Sequence, residues 1–416
     1  MLADDAIARL PDLCAEFAAG RRVAVLMDVR TRVVAGAAVA ASLAGAGGPV
    51  APWSVQEVIV PDGADQASPV CDVATHRVLD RQVGGVDLVV PVGSGVVCDL
   101  GKWLAFDRCV PFVPFATALS MNGYTSANVA PTIDGVKTLL RAAAPQAVVA
   151  SPKVLAAAPY EMTASGLGDV LAKSVSSADW YLNHALFGDY YCQAAVDLIA
   201  RIEPLYTDRP GDLLWRRGEA MEALFHALLL TGVAMTMAGS SAPASGGEHM
   251  ISHSLDMLAG VDGRGHDLHG RQVGVGTVLC AELYRRVLEI ESPDCLPPRE
   301  AVDEGFWGPL APAVARQYAD KVPRLRQVGQ QLRTGSTWDD LRRTLAAMLR
   351  SPQTVASCLT TAGAAVKAAD IGCDRNRLLS VFLHAHEIRS RVTILDLAGL
   401  LGLMPASAAE IVDSWA

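Results

Sequence analysis

Two histidines four residues apart, His249 and His253, stand in the run Ser245-Gly-Gly-Glu248-His249-Met-Ile-Ser-His253-Ser-Leu-Asp256. On a helix that spacing puts both imidazoles on one face, where they can share a metal ion or a substrate; two core imidazoles held by hydrogen bonds would show the same spacing. No glutamate lies between them, which disfavours a metalloprotease. A further imidazole, His269 in His269-Gly-Arg-Gln-Val-Gly-Val-Gly276, follows at a loop-to-helix boundary and weighs toward a shared ligand. A second candidate is the hydrophobic run from Val86 into Gly93-Ser94-Gly95 and on through Val96, Val97, Cys98 and Asp99 to Lys102. It reads as a strand, a Gly-x-Gly turn and a helix, a geometry that aims backbone N–H groups and a positive helix end at a phosphate. Cys98 occupies the place of the third glycine in the dinucleotide fingerprint, so an ordinary tight turn fits the spacing equally well. The third candidate is Asp169 in Ser165-Gly-Leu-Gly168-Asp169, which on its own reads as a helix cap.

These groups need a scaffold, and the chain is long enough for two. Its 416 residues exceed the size at which a single core usually stops growing. Short β-branched runs at Arg22 to Met27, Val55 to Val60, Val86 to Val92 and Ala147 to Ala150 alternate with helical segments, predicting parallel strands with crossover helices. From about Ala158 onward long Ala/Leu/Met-rich segments predict a mainly helical region. The expected architecture is therefore an α/β dinucleotide-binding domain over 1–157 and an all-α domain over 158–416. Glycine and serine thicken at Gly239 to Gly247, a composition suited to backbone lying close against a ligand.

Composition narrows the partners. A net charge of -9 with no dense Lys/Arg stripe argues against nucleic acid and anionic membrane, leaving a small-molecule substrate. Nine scattered cysteines without a CxxC pair read as reduced thiols, and the N-terminal stretch carries acids and amphipathic spacing in place of a secretory signal. A cytoplasmic protein is expected. The most apolar stretch, Ala223 to Gly239, contains His226 and falls short of the roughly 20 residues a bilayer span needs, so it reads as a buried core helix.

Taken in order, Gly93-Ser-Gly95 through Lys102, Pro114 through Thr117-Ala118-Leu119-Ser120-Met-Asn122-Gly123-Tyr-Thr-Ser126, Ser165 through Asp169, Asp179-Trp180, Ser245 through His253, His269-Gly and Arg391 through Asp396 resemble the sn-glycerol-1-phosphate dehydrogenases. Those enzymes belong with the iron-containing alcohol dehydrogenases, glycerol dehydrogenases and dehydroquinate synthases, and the resemblance runs from about residue 20 to 400. It implies a metal held by Asp169, His249 and His269, with His253 and Asp169 facing substrate, and NAD or NADP over Gly93 to Asp99, Thr117 to Ser120 and Ser126. It further implies hydride transfer between nicotinamide and a small polar ketone, and a homo-oligomer. One divalent metal is expected, zinc first, with iron, nickel and manganese as alternatives.

The chain departs from that family twice. Asn122 stands where the family carries a substrate-facing aspartate, and Ala242 where an arginine is common. Both changes put the substrate in question. A dehydroquinate synthase-like cyclase that uses nicotinamide transiently, and a non-catalytic binding relative, are the competing readings. Asp28 at the end of the first strand would favour NAD, and Arg30 and Arg32 beside it NADP. Lys102, Lys137 and Lys173 are read as solvated or ion-paired and left outside the site.

Overall fold

The computed structural model describes residues 1–45, 51–63, 68–198, 200–332 and 335–415. Strands β1 (Arg22–Met27), β2 (Ser54–Ile59), β3 (Leu88–Gly93), β4 (Phe115–Ala116) and β5 (Val149–Ala150) form one parallel sheet in the order β2-β1-β3-β4-β5. All but the first residue of β1 and the whole of β3 are buried, which explains why both read as unbroken apolar runs without alternation. Successive side chains nonetheless point to opposite faces. Val23, Val25 and Met27 join a core with Leu10, Val39, Val90 and Phe115, while Ala24 and Leu26 join another with Leu79, Val89, Leu100 and Leu104. Helices α1 (Ala6–Ala15), α2 (Val73–Gln82) and α3 (Gly95–Asp107) supply the covering residues.

The strand order carries a functional consequence. From β1 the chain leaves to β2 on one side, and from β3 to β4 on the other, so the carboxyl ends of β1 and β3 form a topological switch point. Ligands of open α/β sheets bind at such points because the loops diverge there and leave a crevice. Gly93 and the turn to α3 lie at that end.

Two compact units are present, and the chain passes between them more than once, whereas the sequence suggested one boundary after residue 157. The first unit comprises 1–133, 137–163 and 215–239; the second holds 134–136, 164–214 and 240–416. The helix Gly218–Ala238 belongs to the first unit. Its 21 residues make it long and apolar enough to cross a membrane, correcting the shorter stretch expected from sequence. Within the protein 61% of its apolar window is buried, and Thr231 turns its hydroxyl back onto the carbonyl of Ala227 (2.8 Å), as expected of a core helix.

The second unit is helical. Around one core it places α5 (Lys173–Phe187), α6 (Gly247–Asp262), α7 (His269–Leu288) and α8 (Ile394–Leu400), and from Ala164 onward it also includes α4 (Tyr160–Leu171). Glycines let the backbones touch. A Cβ on Gly168 would lie 2.0 Å from the carbonyl oxygen of Gly270, one on Gly270 1.9 Å from that of Ser165, and one on Gly276 2.7 Å from that of Glu248. Thus α4 and α6 both close against α7 at separations that no side chain permits. Within the run Gly239 to Gly247, Gly246 and Gly247 also serve packing. A Cβ on Gly246 would meet Asp179 at 2.4 Å, and one on Gly247 would meet Cys280 and Ile394 at 3.2 Å.

Candidate active site and metal centre

In the second unit Asp169, His249 and His269 converge, with one ligand atom from each lying within 4.8 Å of the others. Asp169 does not open a helix as an N-cap; it sits in the last turn of α4 and is 2% exposed, next to the Gly168–Gly270 crossing. His249 is in the first turn of α6 and His269 opens α7. Each imidazole is anchored through its outer nitrogen. His249 Nδ1 lies 2.8 Å from Glu248 Oε1 and its Nε2 3.3 Å from Asp169 Oδ1. Ser252 Oγ donates to Gln272 Oε1 (2.7 Å) and so accepts from His269 Nδ1 (2.9 Å), fixing the tautomer that turns the Nε2 lone pair inward. Outer-nitrogen anchoring of this kind accompanies histidines that bind metals. Burial works against a charged His249, yet hydrogen bonds to Asp169 and Glu248 outweigh it and push the imidazole up to about 9. The pocket favours a cation at that nitrogen, and its donors fit a divalent metal.

His253, one turn after His249, is 7% exposed, and its ring stacks on His269 with centroids 5.3 Å apart. Asp179 ties the centre to its surroundings by accepting from the backbone N–H of Gly247 (2.8 Å) and Ile394 (2.8 Å) and from the Tyr284 hydroxyl (2.6 Å). One buried carboxylate thereby holds the first turns of α6 and α8. Burial, and then the neighbouring Glu248, push it up to about 8. Sequence reasoning gave Asp179, Glu248, Ser252 and Gln272 no task, although Glu248 and Ser252 flank ligand positions in plain view. His266, also passed over, pairs with Asp256 at 3.1 Å.

The first unit holds the nucleotide-binding candidates. Ser94 precedes α3 in extended conformation and makes no side-chain cap, leaving the N–H groups of the first turn to another partner. Its hydroxyl instead meets those of Ser120 and of Tyr124 (3.0 Å), and Tyr124 also donates to the Ala118 carbonyl (2.8 Å). Tyr124, unassigned from sequence, thus clamps the β3 turn to the segment after β4. Among the predicted contacts Gly95, Val96 and Asp99 keep some exposure, while Val97 and Cys98 turn into the core and Cys98 Sγ donates to the Gly93 carbonyl (3.5 Å). Thr117, Ala118, Leu119 and Ser120 are buried. Ser126 is 3% exposed, with its hydroxyl engaged by Lys102 (3.1 Å) and turned to the carbonyls of Gly123 and Asn128.

Of the two readings of Lys102, solvated or ion-paired, the structure shows the ion-paired one, in a buried setting. It is 1% exposed, and its Nζ binds the carbonyls of Gly123 (2.6 Å) and Asn128 (3.0 Å) with Asp99 at 3.6 Å. A buried cation is tolerable only when its donors are met, and here they organise the loop that carries Asn122. Gly232 lets that loop settle on the helix Gly218–Ala238, since a Cβ there would lie 2.8 Å from the Asn122 carbonyl oxygen. Lys173 is likewise half-buried, donates to the Val196 carbonyl and is pushed down to about 8 by burial.

The two glycines of the turn differ in kind. A Cβ on Gly93 would strike Val97 at 2.7 Å, whereas one on Gly95 meets nothing within 4 Å. Gly95→Val should therefore leave the melting temperature near that of the parent while weakening dinucleotide binding about tenfold or more, roughly 1.4 kcal/mol. Fluorescence titration of the cofactor checks this, and an unaltered dissociation constant would move the nucleotide away from this turn.

Comparisons with known proteins place the chain in a family. Residues 1–159 match the family model described as iron-containing alcohol dehydrogenase. The solved structure of a probable glycerol dehydrogenase from Sinorhizobium meliloti superposes with a TM-score of 0.61 at 19% identity, over 99% of this chain and 96% of that one, which shows the fold. Fold, donor set and family model together define a metal-dependent NAD(P)-linked oxidoreductase of the iron-containing alcohol dehydrogenase class. The glycerol-1-phosphate dehydrogenase [NAD(P)+] of Geobacillus thermodenitrificans is 31% identical over 323 residues, covering 77% of this chain and 74% of the relative. That of Bacillus licheniformis is 28% identical over 319 residues, covering 77% and 69%. The chain belongs to the glycerol-1-phosphate dehydrogenase family.

Proposed function

We propose that this protein interconverts a small anionic ketone and its alcohol, with Asp169, His249 and His269 as metal ligands and NAD as hydride carrier. The observation that carries the reading is the convergence of one buried carboxylate and two imidazoles whose outer nitrogens are already anchored. A divalent ion held there, zinc first and iron as the alternative, would supply Lewis acidity to a carbonyl or alcohol oxygen. His253, on the same face of α6 as His249, would hydrogen-bond the substrate and hold its proton. The N–H groups of the first turn of α3, which no side chain caps, would bind a pyrophosphate, and a bound nicotinamide would supply the hydride. NAD is preferred over NADP because Asp28 keeps its carboxylate at the end of β1, accepting from the N–H of Arg30 and Thr31 (2.9 and 2.7 Å). Arg30 is taken by Asp62, and Arg32 by Glu57 at 3.1 Å. A 2′-phosphate would meet that acid without an uncommitted cation.

A screen of phosphorylated and free ketoses, polyols and oxo-acids, followed by absorbance of the reduced cofactor, tests the proposal. The absence of turnover with every one of them, in metal-loaded protein that binds NAD, would refute it.

Asn122 sets the substrate apart from glycerol 1-phosphate, the compound in the relatives' name. An aspartate only accepts hydrogen bonds and repels anions, whereas an amide both donates and accepts. The preferred substrate is expected to present a carbonyl, carboxylate or phosphonate-like oxygen to this side chain. Asn122→Asp should weaken it by about 1–3 kcal/mol in kcat/KM while glycerol-type substrates hold or improve. If the parent enzyme already reduces dihydroxyacetone phosphate best and Asn122→Asp leaves that ranking as it was, the amide does not select.

A further inference from the structure

The serine at the head of α3 stands where a helix ordinarily caps itself, and it does not do so. Ser94 already has the extended backbone of a capping residue, at φ -126 and ψ -155. Serine is preferred at such a position because its oxygen accepts from an N–H two or three residues further on. In this chain those donors belong to Val96 and Val97. Ser94 bonds neither of them. Among the described residues the N–H groups of Gly95, Val96 and Val97 reach no acceptor, and the first helical bond runs from the Cys98 N–H to the Ser94 carbonyl (2.9 Å).

The side chains around Ser94 account for this. The Tyr124 hydroxyl bonds Ser94 Oγ (3.0 Å) and donates to the Ala118 carbonyl (2.8 Å), while Ser120 Oγ bonds the same serine oxygen. All three side chains are buried, and the tyrosine ring is seated edge-on against Phe225 with centroids 6.4 Å apart. A buried tyrosine hydroxyl must find partners, and here one of them is the oxygen that α3 would otherwise use for its own first turn. The arrangement has a chemical consequence. A capping serine oxygen and a pyrophosphate oxygen compete for the same N–H donors, so a helix end that caps itself is a poorer anion site.

We propose that Tyr124 is a positioning residue for the dinucleotide. By holding the Ser94 hydroxyl away from the first turn of α3, it keeps the N–H groups of that turn available to pyrophosphate. The inference rests on the nucleotide site proposed above and adds that its openness is maintained by a side chain outside the turn.

Tyr124→Phe, Ser94→Ala and the double variant test this as a cycle. Phenylalanine keeps the ring against Phe225 and removes only the hydroxyl, which releases Ser94 to cap the helix. The NAD dissociation constant, read by fluorescence titration, is expected to rise about fivefold in Tyr124→Phe, the scale of one serine cap. In the double variant no hydroxyl is left to cap with, so adding Tyr124→Phe to Ser94→Ala should change the constant little. A tyrosine that served packing alone would cost the same in both backgrounds. Amide hydrogen exchange without nucleotide gives a second reading that does not depend on NAD. The Val96 and Val97 amides should exchange fast in the parent, more slowly in Tyr124→Phe and fast again in the double variant. Fast exchange in Tyr124→Phe, or an equal loss of NAD affinity with and without the Ser94 hydroxyl, overturns the proposal. If the parent binds no NAD, the nucleotide site itself falls, and the exchange pattern still decides whether Tyr124 keeps the helix end open.

Discussion

Replacing His249 or His269 by alanine is expected to strip the protein of divalent metal and to abolish most oxidoreductase activity in the same step. The parent protein should hold about one divalent ion per chain, since a single group of three donors is present among the described residues. Removing a ligand undoes both the binding and the polarisation that depends on it. A graded series makes the test sharper. Ser252→Ala and Glu248→Gln touch only the outer nitrogens of His269 and His249. They should cost about 10–100-fold in metal affinity, the usual range for groups that orient a ligand, and the two histidine replacements should cost more. Elemental analysis and chelator competition give the order. Full activity in a metal-free preparation would end the metal-centre interpretation, and equal losses across the series would mean that the outer hydrogen bonds do more than orient.

Gly270→Ala is expected to be among the most destabilising single methyl additions available in this chain. The new Cβ would lie 1.9 Å from the Ser165 carbonyl oxygen and 2.6 Å from its carbon, and backbone cannot swing aside as a side chain does. Overpacking typically costs about 1–3 kcal/mol, and contact this close with main chain belongs at or beyond the upper end. At roughly 2–4 °C per kcal/mol for a domain of this size, the melting temperature should fall by about 6 °C or more. The same displacement would draw Asp169 away from His269, so metal affinity should fall with stability. Gly95→Val adds more volume yet should not move the melting temperature, which separates a glycine needed for packing from one needed for a ligand. A parent-like melting profile and metal content in Gly270→Ala would show that α4 and α7 slide apart without consequence.

The residues of the site were legible in the chain, but their relations were not. His249 and His253 announced a shared helical face through their spacing, and α6 places them so. Strand identity was equally plain, because β1 and β3 are buried on both faces and therefore consist of apolar runs. Asp169 was misjudged as a cap since flanking glycines ordinarily mark a helix end. Gly168 instead thins α4 where α7 crosses it, a role visible only once Gly270 is brought beside it. The burial of Lys102 was missed for a related reason, although its pairing with an acid was among the readings. A lysine near a helix surface is usually solvated, and the carbonyls that bury this one belong to Gly123 and Asn128, in a loop no local pattern predicts.

By itself the sequence determined which side chains were candidates for chemistry, which segments would become strands and helices, and to which family the ordered motifs belong. Those properties follow from residue type and short-range periodicity, which the chain carries whatever its path. The tertiary structure alone decided which imidazole nitrogen faces the centre and that Asp179 holds the first turns of α6 and α8. It also decided that one glycine of the Gly-x-Gly turn is packed while the other is open. These depend on partners far apart along the chain, such as the Gly270 N–H bonded to Ser165 Oγ at 3.1 Å across 105 residues. Contacts of that separation arise from how helices cross, and backbone crossings are set by excluded volume over the whole core, which no local window of sequence records.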